Sequence, residues 1–129
     1  KSVNPNVQVV GVQAEQAPAV FLSWQEGKVV QAPMRSKAEG LATGTGFELT
    51  LGILREHLDD FILVTDDEMD QAIVHHLRMT HNLTEHAGAA SLAGAVKMKD
   101  RLEGKKVALI MSGGNVSLEH LKAALDKYG

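Results

Sequence analysis

The sequence predicts an α/β fold built around a mostly parallel β-sheet. Three short, largely apolar runs have the length of buried strands: Val7–Val12, Phe61–Val64 and Val107–Met111. Longer segments with a helical spacing of apolar residues separate them. Strands that alternate with helices are typical of a parallel sheet covered by helices. A chain of 129 residues is long enough for one such domain and too short for two.

The elements of the first half follow the first strand in order. A helix is predicted from Pro18 to about Glu26, because proline in the first turn loses no helical hydrogen bond. Gly27 ends it. Val29–Gln31 is predicted as a short extended piece, and Pro33–Gly46, rich in glycine, proline and small polar residues, as a loop long enough to have a function.

The second half holds four more predicted helices and the other two strands. Phe47 to about Leu58 carries a helical apolar stripe. Thr65 and Glu68 have the spacing of a capping box, which starts a helix running to about His81. A further helix, dense in alanine and glycine, is predicted from about Thr84 to Leu102.

Two turns complete the predicted fold. Asn82-Leu83-Thr84-Glu85 repeats the capping spacing ahead of the alanine-rich helix. Ser112-Gly113-Gly114-Asn115 turns the last strand into a final helix, Val116 to about Tyr128. The dense small residues between Ala87 and Ala95 predict a helix face at which something can approach the helix backbone closely.

Composition excludes several classes of function. The chain has no cysteine, so it forms no disulfide or thiolate zinc site, and a reducing compartment fits. A net charge of −3 and 4% aromatic residues give no nucleic-acid footprint. No apolar run approaches a membrane span or a signal-peptide core. We therefore expect a cytoplasmic protein without nucleic-acid or membrane partners, and a chain that starts at Lys1 rather than methionine is expected to be a fragment, a processed chain or an engineered piece.

Three constellations are candidates for chemistry. Ser112–Asn115 lies where a parallel strand enters a helix, a position that binds ligands in such sheets, but it is also explained as a tight turn with a capping asparagine. Ser36–Gly40 is either a ligand-contacting loop or a mobile surface loop. Glu85–Ala90 places a glutamate at a helix start, where it is a cap or, if buried beside a ligand, a group that tunes the ligand's protonation.

The six histidines do not predict a metal site. His75 and His76 are adjacent and point to different sides of a helix, and no histidine pair has the same-face spacing of a zinc helix. A solvated acidic helix start, matched to the helix dipole, accounts for three aspartates. These are Asp66, Asp67 and Asp70.

Taken in order, five segments resemble one family, the fold-type II pyridoxal-phosphate (PLP) enzymes, and most of all its threonine ammonia-lyases (threonine/serine dehydratases). The segments are Val7–Glu15, Ser36–Ala42, Asp59–Met69, Glu85–Ser91 and Lys105–Asn115. The resemblance implies a three-layer α/β fold and places residues 1–129 in the carboxy-terminal part of the large, PLP-binding domain. It implies removal of water from threonine or serine to give a 2-oxo acid and ammonia.

The resemblance also implies roles for single residues. Ser112 matches the serine whose hydroxyl bonds the pyridine nitrogen of PLP, with Gly113 beside it. Gly40 matches a glycine that lies against the cofactor. Glu85 matches an acidic residue close to the cofactor ring.

Several positions depart from the family pattern. The family's Schiff-base lysine and phosphate-binding glycine loop precede the part that is matched, so we expect no catalytic residue in this chain and no activity of the chain alone. Lys37 stands where relatives carry an apolar residue and does not replace that lysine. His86 stands where many relatives have proline or glycine. Glu15 matches a metal ligand of the racemase-like members, but Phe21 takes the place of an aspartate ligand, so no metal is expected.

The expected partners are an amino-acid substrate, the remainder of the same enzyme or a partner chain, and further copies of the chain in a homo-oligomer. An unpaired hydrophobic sheet edge favours such association. The alternative function is a non-catalytic α/β domain that binds a phosphorylated or anionic small ligand at residues 112–115.

Overall fold

The computed structural model describes all residues from 1 to 129, which form two strands and six α-helices. In chain order the elements are β1 (Val10–Ala14), α1 (Ala19–Glu26), a 3-10 turn (Glu39–Leu41), α2 (Glu48–His57), β2 (Asp60–Val64), α3 (Asp66–Thr80), α4 (His86–Lys97), α5 (Lys99–Leu102) and α6 (Leu118–Tyr128). No helix is long and apolar enough to cross a membrane.

The sheet consists of β1 and β2, which run parallel with Val10 opposite Asp60 and Ala14 opposite Val64. The predicted parallel pairing is thus confirmed for the first two strands, although β1 begins three residues later than expected. The third predicted strand, Val107–Met111, is wrong, because this segment pairs with no other strand. A strand exists only through hydrogen bonds to a neighbour, and an apolar run without one stays irregular.

Helices cover both faces of the sheet, as the three-layer prediction requires. Phe61 makes edge-on aromatic contacts with Phe21 and Trp24 of α1, at ring-centroid distances of 5.7 and 5.8 Å. The next residue, Ile62, points to the other face, where α4 approaches so closely that a Cβ at Gly94 would lie 3.2 Å from its Cδ1. The α/β fold class is confirmed.

Two of the helix ends predicted from capping residues are confirmed, and others are wrong. Thr65 and Glu68 form the complete capping box at the start of α3, and Gly27 ends α1 with a left-handed φ of 73°. The second capping prediction is wrong, since Glu85 precedes α4 and no side chain caps that helix. The predicted helix Thr84–Leu102 is divided at Met98, and α6 begins at Leu118 with Ser117, not Asn115, as its cap.

The core lies between the sheet, α3 and α4. Its largest fully buried side chains are those of Met69, Ile73 and Val64. Alanines of α4 complete it, and their small size lets the helix sit close to the strands. The core therefore fixes the start of α4 relative to the carboxyl ends of both strands, where the candidate site lies.

Candidate functional site

A cavity of about 250 Å³ opens beside the carboxyl ends of the strands, and we call it the site cavity. Its walls are the 3-10 turn with the residues just before it, the start of α4, and the segment that leads into α6. The lining residues are Lys37, Ala38, Glu39, Gly40, Glu85, His86, Ala87, Asn115, Val116, Ser117 and His120. Two of the four predicted cofactor residues, Gly40 and Glu85, are among them.

Glu85 and its neighbour Thr84 are joined to the Ser112–Asn115 turn by three hydrogen bonds. The Glu85 backbone N–H donates to the Gly113 carbonyl at 3.1 Å, and its carboxylate Oε2 accepts the Asn115 backbone N–H at 3.1 Å. The Thr84 hydroxyl also donates to the Gly113 carbonyl, at 2.9 Å. The carboxylate therefore does not cap its own helix, and the structure brings the predicted residues Glu85 and Gly113 into direct contact.

Two glycines meet at this turn because side chains would not fit. A Cβ at Gly113 would overlap the Glu85 carboxylate, whose Cδ would lie 2.9 Å away. A Cβ at Gly88 would overlap the Gly113 carbonyl and come within 3.0 Å of the Gly113 nitrogen. The small-residue face predicted for α4 therefore admits the backbone of the Ser112–Asn115 turn.

Gly40 sits in the 3-10 turn and faces the start of α4. A Cβ at this position would lie 3.0 Å from the Cβ of Ala87, closer than most real contacts. We name residues 36–42 the Gly40 loop. Its backbone is thus held almost in van der Waals contact with α4.

Ser112 is exposed and is not part of the cavity wall. Its side chain is not turned into the protein interior, and the residue directly after it contacts Glu85. The role given to its hydroxyl by the resemblance stays a prediction.

The structure adds a charged cluster around Asp70 that the sequence did not predict. Asp70 was expected to be a solvated helix-start residue, but it is buried, with 6% of its surface exposed. Its Oδ1 lies 2.7 Å from Nε2 of the buried His86, and its Oδ2 accepts from Lys37 Nζ at 3.0 Å. His86 also contacts His120 edge-on at 5.2 Å. Lys37, His86 and His120 all line the site cavity.

No local pattern in the sequence predicts this cluster. The partners of Asp70 lie 33 and 16 residues away, and its burial follows from the packing of the Gly40 loop on α3. Asp67 lies on the same helix as Asp70 but on its exposed side, where it pairs with Lys127.

The structure contains no group of three histidine, cysteine or carboxylate side chains suited to a metal ion. At the positions that match metal ligands of the racemase-like members, Glu15 is exposed and the Phe21 ring is packed against Phe61. The Phe21 backbone N–H donates to Gln13 Oε1 at 2.8 Å.

Comparison with known proteins matches this geometry to one family. A family profile described as pyridoxal-phosphate-dependent enzyme matches residues 1–113. The chain is 31% identical over 128 residues to an L-threonine ammonia-lyase of Thermotoga maritima, covering 98% of this chain and 32% of that protein. The chain spans about a third of the length of the curated relatives it matches.

Solved structures give the same result. The processed form of threonine deaminase isoform 2 from Solanum lycopersicum superposes with a TM-score of 0.89 at 28% identity, over 100% of this chain and 38% of that one. Serine racemase from Dictyostelium discoideum gives a TM-score of 0.81 at 35% identity, over 92% of this chain and 38% of that one.

Proposed function

Because the chain belongs to the family of pyridoxal-phosphate-dependent enzymes, we propose that it forms part of a threonine or serine ammonia-lyase. The net reaction converts L-threonine to 2-oxobutanoate and ammonia, or L-serine to pyruvate and ammonia. The observation that carries the proposal is that Gly40, Glu85 and Asn115, the last residue of the Ser112–Asn115 turn, line one cavity. Relatives named for these activities match almost the whole chain.

The residues around the site cavity fit the cofactor. Gly40 lines the cavity without a side chain, so a flat ring can approach its backbone closely. Glu85 adds a carboxylate that already has an N–H partner, and Ser112 adds an exposed hydroxyl. When bound, PLP supplies an electron-accepting ring that stabilises negative charge at the substrate α-carbon.

Each residue has a distinct part in this proposal. Ser112 would hold the pyridine nitrogen through its hydroxyl, with Gly113 beside it. A neutral hydroxyl either donates or accepts, so unlike a carboxylate it does not keep a proton on that nitrogen. Gly40 would lie against the cofactor ring and Glu85 would stand near it, while the hydrogen bonds of Glu85 hold the turn that carries Ser112.

We further propose that the chain works with the rest of the enzyme or a partner chain, and in a homo-oligomer. Support comes from the irregular segment Val107–Met111, where Val107 is 49% and Ile110 74% exposed. Apolar residues with this exposure favour association. The chain alone is expected to be inactive. Lack of cysteine supports a cytoplasmic location.

The alternative of a stand-alone domain that binds an anion at residues 112–115 is weakened by two observations. Helix α6 begins at Leu118, so its first N–H groups are not at this turn. The Asn115 N–H is already taken by the Glu85 carboxylate, which brings negative charge to the place where the anion would bind.

The test adds PLP to the intact source protein and to this chain. The intact protein is expected to develop the absorbance of a PLP–lysine adduct and to release 2-oxobutanoate from threonine or pyruvate from serine. The chain alone is expected to do neither. Absence of PLP absorbance in the intact protein would refute the enzyme proposal.

A further inference from the structure

One buried carboxylate, that of Asp70, connects both walls of the site cavity that carry candidate cofactor residues. His86 Nε2 lies 2.7 Å from Asp70 Oδ1, and Lys37 Nζ donates to Oδ2 at 3.0 Å. Lys37 precedes Gly40 by three residues, and His86 directly follows Glu85. The Gly40 loop and the start of α4 are therefore both fastened to the same point on α3.

Charge and burial make this connection strong. Asp70 is 6% and His86 3% exposed, so neither side chain is solvated from outside. A carboxylate in such a place is stable only if a cation and hydrogen bonds replace its water. Lys37 supplies the positive charge from the cavity rim, where 43% of its side chain is exposed, and His86 supplies the second contact.

The Gly40 loop also has an anchor that does not depend on Lys37's charge. The Ser36 hydroxyl donates to Asp66 Oδ1 at 2.5 Å, and the Lys37 backbone N–H donates to Asp66 Oδ2 at 2.9 Å. The next residue, Ala38, is buried in the core. Without the Lys37 ammonium, the start of the Gly40 loop is therefore expected to stay attached through Ser36 and Ala38, while residues 39–42 become more mobile.

We propose that Lys37, Asp70 and His86 are positioning residues that set the distance between the Gly40 loop and the Glu85 end of α4 for the cofactor. The inference rests on the proposed function. Gly40 and Ala87 are so close that a small displacement of either wall changes the shape of the cavity. Lys37 and His86 both depart from the residue types that the family resemblance implies, so this link distinguishes the chain from such relatives.

The test replaces Lys37 by methionine in the intact source protein and measures two quantities, PLP affinity by absorbance titration and amide hydrogen exchange of residues 39–42. Lys37→Met is expected to weaken PLP binding about tenfold, as loss of a supporting side chain commonly does. Exchange at residues 39–42 is expected to become faster. Lys37→Arg, which keeps the charge, is expected to restore most of both.

Lys97→Met is the matched control. The Lys97 side chain is 44% exposed, similar to the 43% of Lys37. Its partner Glu68 is 35% exposed, however, and the pair lies outside the site cavity. This variant is expected to leave PLP affinity and the Gly40 loop unchanged.

His86→Ala tests the connection through Asp70. It changes α4, yet faster exchange is expected in the Gly40 loop. Equal exchange and PLP affinity in wild type, Lys37→Met and His86→Ala would overturn the inference while leaving the enzyme proposal standing. A wild-type protein that takes up no PLP would instead refute the proposed function.

Discussion

The carboxylate of Glu85 lies directly against the Cα of Gly113, and the Glu85 backbone N–H donates to the Gly113 carbonyl at 3.1 Å. Glu85 thus contacts the Ser112–Asn115 turn through both its backbone and its side chain. Because Ser112 precedes Gly113, these contacts fix the position of the hydroxyl that we assign to the cofactor nitrogen. Gly113 must be a glycine because a side chain would collide with the Glu85 carboxylate, and not because its φ is positive.

Replacing Gly113 by alanine is expected to destabilise the fold by about 1–3 kcal/mol, since the new methyl group overlaps the Glu85 carboxylate. Urea unfolding of this chain measures the change. Gly52→Ala is the matched control. No atom lies within 4 Å of a Cβ at Gly52 in α2, and a helical alanine there is expected to stabilise by about 0.5–1 kcal/mol. Equal effects of the two substitutions would contradict the contact.

Removing the capping box of α3 is expected to cost about 1 kcal/mol. The Thr65 hydroxyl accepts the Glu68 N–H at 3.1 Å, and the Glu68 carboxylate accepts the Thr65 N–H at 2.7 Å. Thr65→Ala removes the first bond and Thr65→Ser keeps it, so only the alanine variant should lower the free energy of unfolding. A serine variant as unstable as the alanine variant would show that packing of the Thr65 methyl group matters instead.

Stability is expected to fall below about pH 6.5 because of His76. Burial, and secondly the charge of neighbouring His75, lower the pKa of His76 below its ordinary value of 6.5, and its Nε2 has no hydrogen-bond partner. The unfolded chain therefore takes up a proton before the folded one does. The contribution of neutral His76 is full above pH 6.5 and is lost as the pH falls from there toward the folded pKa.

Urea unfolding at several pH values tests this dependence. His76→Met should make the slope of stability against pH shallower below pH 6.5, by at most one proton. His57→Gln is the control, because the His57 side chain is 53% exposed. An unchanged slope in His76→Met would exclude the role of His76.

Substituting lysine for Ile110 is expected to reduce self-association of the chain. Ile110 is 74% exposed in a segment that pairs with no strand, and a charge there opposes edge-to-edge pairing. Sedimentation velocity measures the change. Leu49→Lys is matched, since Leu49 is 79% exposed but lies on a regular helix. Association that is sensitive to Leu49 and not to Ile110 would place the interface on α2.

Local signals in the sequence were enough to predict several elements. The capping box at Thr65 and the end of α1 at Gly27 depend on residues within one turn of each other, and both are confirmed. The dense alanine and glycine of α4 predicted a face open to close approach, and the structure shows that the group lying there is the Gly113 backbone against Gly88.

Features that depend on distant partners were not predictable in this way. Val107–Met111 has the composition of a strand, but strand formation requires a neighbour that its own residues do not encode. Asp70 looks like Asp67 in the sequence, and only the packing of Lys37 and His86 around it makes it buried. Residue roles at the site came from the family resemblance, because spacing alone also allowed a plain turn or a surface loop.

A crystal structure of the intact source protein with PLP tests the central claim most directly, through the distance from the Ser112 hydroxyl to the pyridine nitrogen. We expect a hydrogen bond of about 2.5–3.2 Å, with Gly40 against the ring and the Glu85 contact to Gly113 retained. A ring bound away from the site cavity, or a Ser112 hydroxyl beyond hydrogen-bond reach of that nitrogen, would contradict the account.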